Sequence, residues 1–161
     1  MPESCDITLK GEKGFAFCVA LSPNDIDDLK QVVEEEDIVV GVLAVPTAAI
    51  GDAISSVSGL DGVPVLDATN VFDAPRPEGF DSLAEYVKSL TGGPVAKAFN
   101  ANFARIYDRI ASADPKPSQV FTADPEAREV TEQLIGDAGY DPVYVGGLNQ
   151  SRLLEDHLGL V

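Results

Sequence analysis

Cysteine, histidine and tryptophan are scarce in this chain of 161 residues. It contains two cysteines, Cys5 and Cys18, one histidine, His157, and no tryptophan. Two cysteines cannot build the disulfide framework of a small secreted domain, and their spacing is not that of a zinc site. A single histidine leaves few ligands for a transition metal. We therefore predict an intracellular protein without a metal site.

Positive charge is also scarce. The chain has 11 Lys and Arg residues against 27 Asp and Glu residues, which gives a net charge of −16. Binding to DNA or RNA draws most of its nonspecific free energy from the neutralisation of phosphates by Lys and Arg. Anionic membrane surfaces attract basic segments for the same reason. We therefore expect neither nucleic acid nor a membrane surface as a partner.

The acidic excess predicts a protein adapted to high salt. At about 1 M salt the screening length falls to about 3 Å, so that repulsion among the carboxylates fades. We expect the melting temperature, followed by circular dichroism, to rise between about 0.1 M and about 2 M KCl. A melting temperature that stays flat or falls over this range would contradict a halophilic origin.

Long apolar runs are absent from the sequence. A membrane-spanning helix needs roughly 18 or more consecutive apolar residues, whereas the longest run here, Ile38 to Val45, has eight. The segment from Met1 to Asp6 lacks the basic region of a secretory signal peptide. The sequence thus predicts a soluble, cytoplasmic protein.

Short apolar runs alternate with stretches of helical periodicity. The apolar runs are typical of buried strands and lie at Ile38–Val45, Val63–Ala68, Pro94–Ala98, Val120–Ala123 and Val143–Val145, with a weaker run at Asp6–Lys10. The helical stretches are Asn24–Glu35, Thr47–Val57, Asp81–Leu90, Asn102–Ile110, Pro125–Ala138 and Gln150–Leu158. This alternation predicts one α/β domain over residues 1–161, with a doubly wound, mainly parallel sheet covered by helices on both faces.

Four predicted strand ends carry residues that suit a ligand site. In an open parallel sheet, ligands bind outside the carboxyl ends of the strands. The four ends are Ala44–Thr47, Asp67–Asn70, Lys97–Asn100 and Val145–Leu148. Each of them alone is also typical of a turn or of the start of a helix. Only their combination points to a function.

The order and spacing of these strand ends resemble the NADP-dependent coenzyme F-420 (deazaflavin) oxidoreductases. In that family one strand ends in Val-Pro, as at Val45-Pro46, and a following strand reads like Val65-Leu66-Asp67-Ala68-Thr69-Asn70. A later strand ends as Lys97-Ala98-Phe99-Asn100 does, and the C-terminal segment looks like Gly146-Gly147-Leu148 followed by Arg152-Leu153-Leu154-Glu155. The resemblance covers about three quarters of the chain, from Asp37 to Leu158.

The resemblance implies a Rossmann fold that transfers a hydride between NADP(H) and a deazaflavin such as coenzyme F-420. Val45 and Pro46 would pack along the dinucleotide near its ribose, while Asn70 and Asn100 would face the nicotinamide and the hydride acceptor. Hydride transfer needs no acid or base from a side chain, because the cofactor carries the chemistry and the protein holds two rings in register. We therefore expect no catalytic side chain.

The phosphate loop of that family, Gly-x-Gly-x-x-Gly, is absent from the sequence, which leaves two interpretations of the N-terminal segment. In the first, the domain is N-terminally shortened, Asp6–Lys10 is the second strand of the family, and Lys10 and Lys13 bind the 2′-phosphate of NADP. In the second, Ile7–Lys10 is the first strand, Gly11–Gly14 an altered phosphate loop and Phe15–Leu21 the first helix. The first is favoured, because Glu12 would place a negative charge against phosphate in the second. Both predict weakened dinucleotide binding.

Loss of the phosphate loop also permits a noncatalytic function. A Rossmann-like remnant could serve as a subunit or interaction module, and the chain could equally be an incomplete copy of an enzyme. Without the first strand and helix of the family's domain, an edge of the sheet would be exposed. A second copy of the chain could cover that edge, so we expect a homo-oligomer. Near the C-terminus, Arg152 and Glu155 stand one helical turn apart and predict a surface ion pair.

Overall fold

The computed structural model describes residues 40–72, 74–101, 107–110 and 113–157. Five strands lie in these ranges: β1 (Gly41–Leu43), β2 (Val65–Asp67), β3 (Val95–Lys97), β4 (Ser118–Ala123) and β5 (Asp141–Tyr144). The α-helices are α1 (Ile50–Ser56), α2 (Leu83–Thr91), α3 (Tyr107–Ile110), α4 (Pro125–Asp137) and α5 (Ser151–His157), and Thr47–Ala49 and Leu148–Gln150 form 3₁₀ turns. None of these helices is long and apolar enough to span a bilayer. The strand predicted at Asp6–Lys10 and the helix predicted at Asn24–Glu35 lie outside the described residues.

The five strands form a single sheet in the order β1-β2-β3-β4-β5. The strand pairs β1/β2, β2/β3 and β4/β5 are parallel. The pair β3/β4 is antiparallel, with Ala96 opposite Ala123 and Lys97 opposite Thr122. The described sheet is therefore mainly parallel and belongs to an α/β domain, which confirms the predicted fold class.

The reversal at β4 divides the predicted strand ends between two edges of the sheet. Because β4 and β5 run opposite to β1, β2 and β3, their carboxyl ends lie beside the amino ends of those strands. The backbone shows this directly, since Asp124 N donates to Val95 O at 2.9 Å and Ala123 N donates to Gly146 O at 3.2 Å. The expectation that Val145–Leu148 shares an edge with the other three strand ends is thus wrong.

Apolar side chains cover both faces of the central strands. Successive residues of a strand point to opposite faces, so Val65 and Leu66 contribute to different clusters. On one face the buried cluster includes residues of α4, namely Ala127, Leu134 and Ile135. On the other face it includes residues of α1 and α2, namely Ile50, Ala53, Leu83, Ala84 and Val87. Helices on both sides explain why β2 and β3 are buried throughout.

The outer strand β5 departs from the predicted pattern of burial. On the face covered by α4, the ring of Tyr144 contacts Phe121, and the Arg128 guanidinium carbon lies 4.1 Å from the centre of the Tyr144 ring. On the opposite face, Val143 keeps 38% of its surface exposed and Val145 keeps 42%. The expectation that the run Val143–Val145 is buried on both faces is therefore wrong.

Candidate functional site

A cleft opens at the carboxyl ends of β1 and β2. It has a volume of about 320 Å³. The residues that line it come from the segment after β1 and the segment after β2: Ala44, Val45, Pro46, Ala68, Thr69, Asn70 and Phe72. Two parallel strands that end at the same edge place these segments side by side. The cleft thus lies where an open parallel sheet binds its ligand.

Asn70 and Asn100 bind each other behind this cleft. Asn70 Nδ2 donates to Asn100 O, and Asn100 Nδ2 donates to Asn70 Oδ1 at 3.1 Å. Asn100 Nδ2 also donates to Leu154 O at 2.9 Å, and the residue is almost fully buried. Asn70 lines the cleft, whereas Asn100 supports Asn70 from within the protein. The two asparagines therefore tie the ends of β2 and β3 to α5.

A group of opposite charges, three of them buried and the fourth partly exposed, lies next to the asparagines. We call Lys97, Asp67, Glu155 and Arg76 the Lys97 cluster. The Lys97 side chain is completely buried, and its Nζ lies 2.8 Å from Asp67 Oδ2 and 3.4 Å from Glu155 Oε1. Two cations and two carboxylates balance each other, which is how a protein interior tolerates charge.

Hydrogen bonds to the backbone complete the Lys97 cluster. Lys97 Nζ donates to Thr69 O at 2.7 Å, while Asp67 Oδ1 accepts from Thr69 N at 2.8 Å and from Thr69 Oγ1 at 2.6 Å. Glu155 Oε1 accepts from Leu83 N at 2.8 Å, at the amino end of α2, where a negative charge is favoured. The cluster therefore fixes the backbone of Thr69, one of the residues that line the cleft.

Within the Lys97 cluster, Arg76 contacts the buried Glu155 and also the exposed Asp156 on α5. Its Nη2 lies 3.1 Å from Glu155 Oε2 and 3.1 Å from Asp156 Oδ1. Burial by itself lowers the pKa of Arg76, but the hydrogen bonds and negative charges of Asp156 and Glu155 outweigh it and raise the pKa. A hydrogen bond from Arg152, joined by one from Arg76, lowers the pKa of Asp156 against the opposing effect of desolvation.

Phe99 adopts a left-handed backbone conformation directly before Asn100. Its φ is 60°, a value that bulky residues rarely adopt and that stores strain. The ring packs edge-on against Tyr140, with 6.1 Å between the ring centres. This packing holds the turn that brings Asn100 from β3 to Asn70.

The structure brings together four of the six residues predicted to bind cofactor. Val45, Pro46 and Asn70 line one cleft, and Asn100 is bonded to Asn70. Lys10 and Lys13 lie outside the described residues. The predicted surface pair of Arg152 with Glu155 is wrong: Glu155 turns inward to Lys97 and Arg76, and Arg152 instead binds Asp156, four residues on.

Sequence reasoning missed the pairing within the Lys97 cluster. The sequence did contain a signal for the pair of Lys97 with Asp67, because both residues lie within apolar runs that predict burial on two faces. Since a buried charge needs a counter-charge, those two residues could have been matched. Glu155 offered no such signal, because charged residues are common on the helices of this chain.

Comparison with known proteins finds likeness only at the level of structure. No protein-family model matches the sequence, and no curated protein matches it. A hypothetical protein from Sinorhizobium meliloti is 29% identical with a TM-score of 0.67, over 79% of this chain and 64% of that one. A protein assigned as an F420-dependent NADP reductase from Arthrobacter sp. FB24 is 22% identical with a TM-score of 0.65, over 76% of this chain and 61% of that one.

A third solved structure extends the likeness to a more distant protein. A reductive aminase from Aspergillus terreus, in complex with NADPH and ethyl levulinate, is 12% identical with a TM-score of 0.57, over 89% of this chain and 50% of that one. This chain spans less than two thirds of the length of all three proteins. Together with the sheet order, these likenesses show that the chain has a Rossmann-like α/β fold.

Proposed function

We propose that this chain is a dinucleotide-binding domain that transfers a hydride between NADP(H) and a deazaflavin-type acceptor such as coenzyme F-420. The cleft at the ends of β1 and β2 carries the proposal, because Val45, Pro46 and Asn70 meet there. The likeness to the Arthrobacter protein, assigned as an F420-dependent NADP reductase, supports it.

The cleft fits the nicotinamide end of a dinucleotide. Its volume of about 320 Å³ is at the lower end of ligand pockets, which suits one ring with its ribose rather than a whole dinucleotide. No charged residue is among the described residues that line it, so the cleft suits the ring better than the phosphates. Under the proposal, Lys10 and Lys13 bind the 2′-phosphate.

The side chains of the cleft act by holding two rings in place. When bound beside Val45, Pro46 and Asn70, a reduced nicotinamide would supply a hydride, which a deazaflavin ring would take up together with a proton from water. Pro46, with φ at −55°, stands directly before the 3₁₀ turn Thr47–Ala49 and restricts the backbone of the segment after β1, which forms one wall of the cleft. Thr47 Oγ1 donates to Asn70 O at 2.6 Å and thereby ties the segment after β1 to the segment after β2. Fixed walls hold the ring in one orientation for transfer.

Titration with NADPH and NADH at high salt tests the proposal. We expect the full chain to bind NADPH at least about tenfold more tightly than NADH, because even one charge-assisted contact to the 2′-phosphate contributes about 1.5–3 kcal/mol and a factor of ten corresponds to about 1.4 kcal/mol. The double variant Lys10→Glu with Lys13→Glu should lose this preference while its affinity for NADH stays almost unchanged, since NADH carries no 2′-phosphate. Isothermal calorimetry measures both affinities.

A matched double variant controls for the change in net charge. Lys88→Glu with Lys116→Glu alters the net charge equally at two exposed lysines outside the cleft, and should keep the preference for NADPH. Equal loss of preference in both double variants would show a general effect of charge and overturn the role of Lys10 and Lys13. If neither NADPH nor NADH binds at about 1 mM, the oxidoreductase function itself is overturned.

A noncatalytic subunit is the second candidate function. Val120, Val143 and Val145 leave an apolar face of β4 and β5 exposed, which suits contact with another protein chain. The missing Gly-x-Gly-x-x-Gly motif favours the same function, because it removes the usual phosphate contacts. The titration separates the two candidates, since a noncatalytic subunit should bind neither dinucleotide.

A further inference from the structure

We infer that Phe72 is the platform on which the flat ring of the hydride acceptor stacks. The inference rests on the proposed function and assigns one residue of the cleft to the second substrate. Phe72 lines the cleft, yet 73% of its surface is exposed. An aromatic ring that is both at a ligand cleft and open to solvent is suited to pack against another flat ring.

Hydrogen bonds hold the backbone that leads from Thr69 to Phe72. Phe72 N donates to Asn70 O at 3.1 Å. The same oxygen accepts from Thr47 Oγ1 at 2.6 Å, and Lys97 Nζ holds Thr69 O at 2.7 Å. The turn from Thr69 to Phe72 is therefore held at three points while the aromatic ring at its end faces outward.

The geometry of hydride transfer assigns the outward ring to the acceptor. The cleft holds about one ring with its sugar, and in the proposed function that ring is the nicotinamide. The acceptor ring must lie face to face with the nicotinamide for transfer, so it occupies the open side of the cleft. Phe72 lines the cleft and is largely exposed, so it would offer the acceptor a second aromatic surface. We therefore assign a planar, fused-ring acceptor to this position.

Two substitutions of Phe72 test the assignment with the full chain and coenzyme F-420 as the probe. Phe72→Ala should weaken the affinity for F-420 by about tenfold, the typical loss when one aromatic stacking partner is removed, and weaken the affinity for NADPH by a smaller factor. Phe72→Trp should keep the affinity and quench the fluorescence of bound F-420 more strongly than the native chain does. Quenching by electron transfer from an indole requires ring contact, which a merely structural role of Phe72 would not produce.

Leu153 provides the matched control, because it is a large apolar side chain with 65% exposure that does not line the cleft. Leu153→Ala and Leu153→Trp should leave both the affinity and the fluorescence of F-420 as in the native chain. The sequence contains no tryptophan, so each Trp variant carries a single indole at a known position.

The outcomes separate the inference from the proposed function. If the native chain binds NADPH and F-420 and Phe72→Ala binds F-420 with unchanged affinity, the role of Phe72 is overturned and the proposed function is not. A loss of NADPH affinity without a loss of F-420 affinity also overturns that role, since the ring would then serve the nicotinamide. Failure of the native chain to bind F-420 while it binds NADPH overturns the deazaflavin acceptor and the platform together. Failure to bind either ligand overturns the oxidoreductase function.

Discussion

Replacement of Lys97 by methionine is expected to lower the free energy of unfolding by about 3–5 kcal/mol, the usual cost of removing one partner from a buried ion pair. Methionine keeps the length of the side chain but not its charge or donors. Asp67 Oδ2 and Thr69 O then lose the partners that lie 2.8 Å and 2.7 Å away in the native protein. Chemical denaturation at constant high salt measures the change.

A second substitution shows whether the loss comes from the uncompensated charge. Asp67→Asn removes one negative charge but keeps an Oδ1 that can accept from Thr69 N. The double variant Lys97→Met with Asp67→Asn should therefore be less destabilised than the sum of the two single variants. Strict additivity would contradict a direct interaction. Lys88→Met serves as the control, because its pair with Asp124 is partly exposed and should contribute less than about 1 kcal/mol.

Replacement of Glu155 by glutamine is expected to cost about 3 kcal/mol of stability, because it leaves Lys97 and Arg76 with one buried carboxylate instead of two. Glutamine offers one acceptor oxygen where glutamate offers two, so its amide group must face either Arg76 or the amino end of α2. Hydrogen exchange should show a loss of protection at Leu83 N, which donates to Glu155 Oε1.

The neighbouring carboxylate on α5 gives the control for this variant. Asp156→Asn makes the same chemical change at a side chain that is 54% exposed. Exposed ion pairs contribute little, so we expect a change below about 1 kcal/mol and no effect on Leu83. Equal destabilisation by both variants would contradict the assignment of Glu155 to the core.

The sequence was sufficient to predict the alternation of elements and the place of the cleft. Val65 to Asp67 and Val95 to Lys97 are short apolar runs between helical stretches, and local pattern alone identifies them as buried strands. Pro46 and Asn70 mark the ends of two such strands. Because parallel strands end at one edge, knowledge of the elements was enough to place these residues together.

The direction of β4 could not be predicted, because the connection before it has the pattern of a crossover between parallel strands. The segment between β3 and β4 contains a stretch of helical periodicity, which is typical of a crossover between parallel strands. The structure instead pairs β3 and β4 antiparallel. The run Val143–Val145 shows a similar limit, since its apolar pattern predicts burial but no described helix packs over its outer face.

The partners of Glu155 were hidden for a different reason. Helical spacing predicts neighbours within one turn, such as Arg152, but it cannot show which face of α5 meets the sheet. Arg76, the partner seen in the structure, is 79 residues away in the sequence. A contact of this kind depends on tertiary packing and leaves no mark on local periodicity.

The long separation between Glu155 and its partners sets an order of events during synthesis on the ribosome. Strands β1, β2 and β3 are complete before α5 is made, so Lys97 can meet Asp67 early, at a separation of 30 residues. Arg76 and the amino end of α2 gain their partner only when Glu155 has been synthesised. Contacts between distant parts of a chain form slowly, because long loops must close first. We therefore expect the Lys97–Asp67 pair to form before Glu155 and Arg76 join the Lys97 cluster.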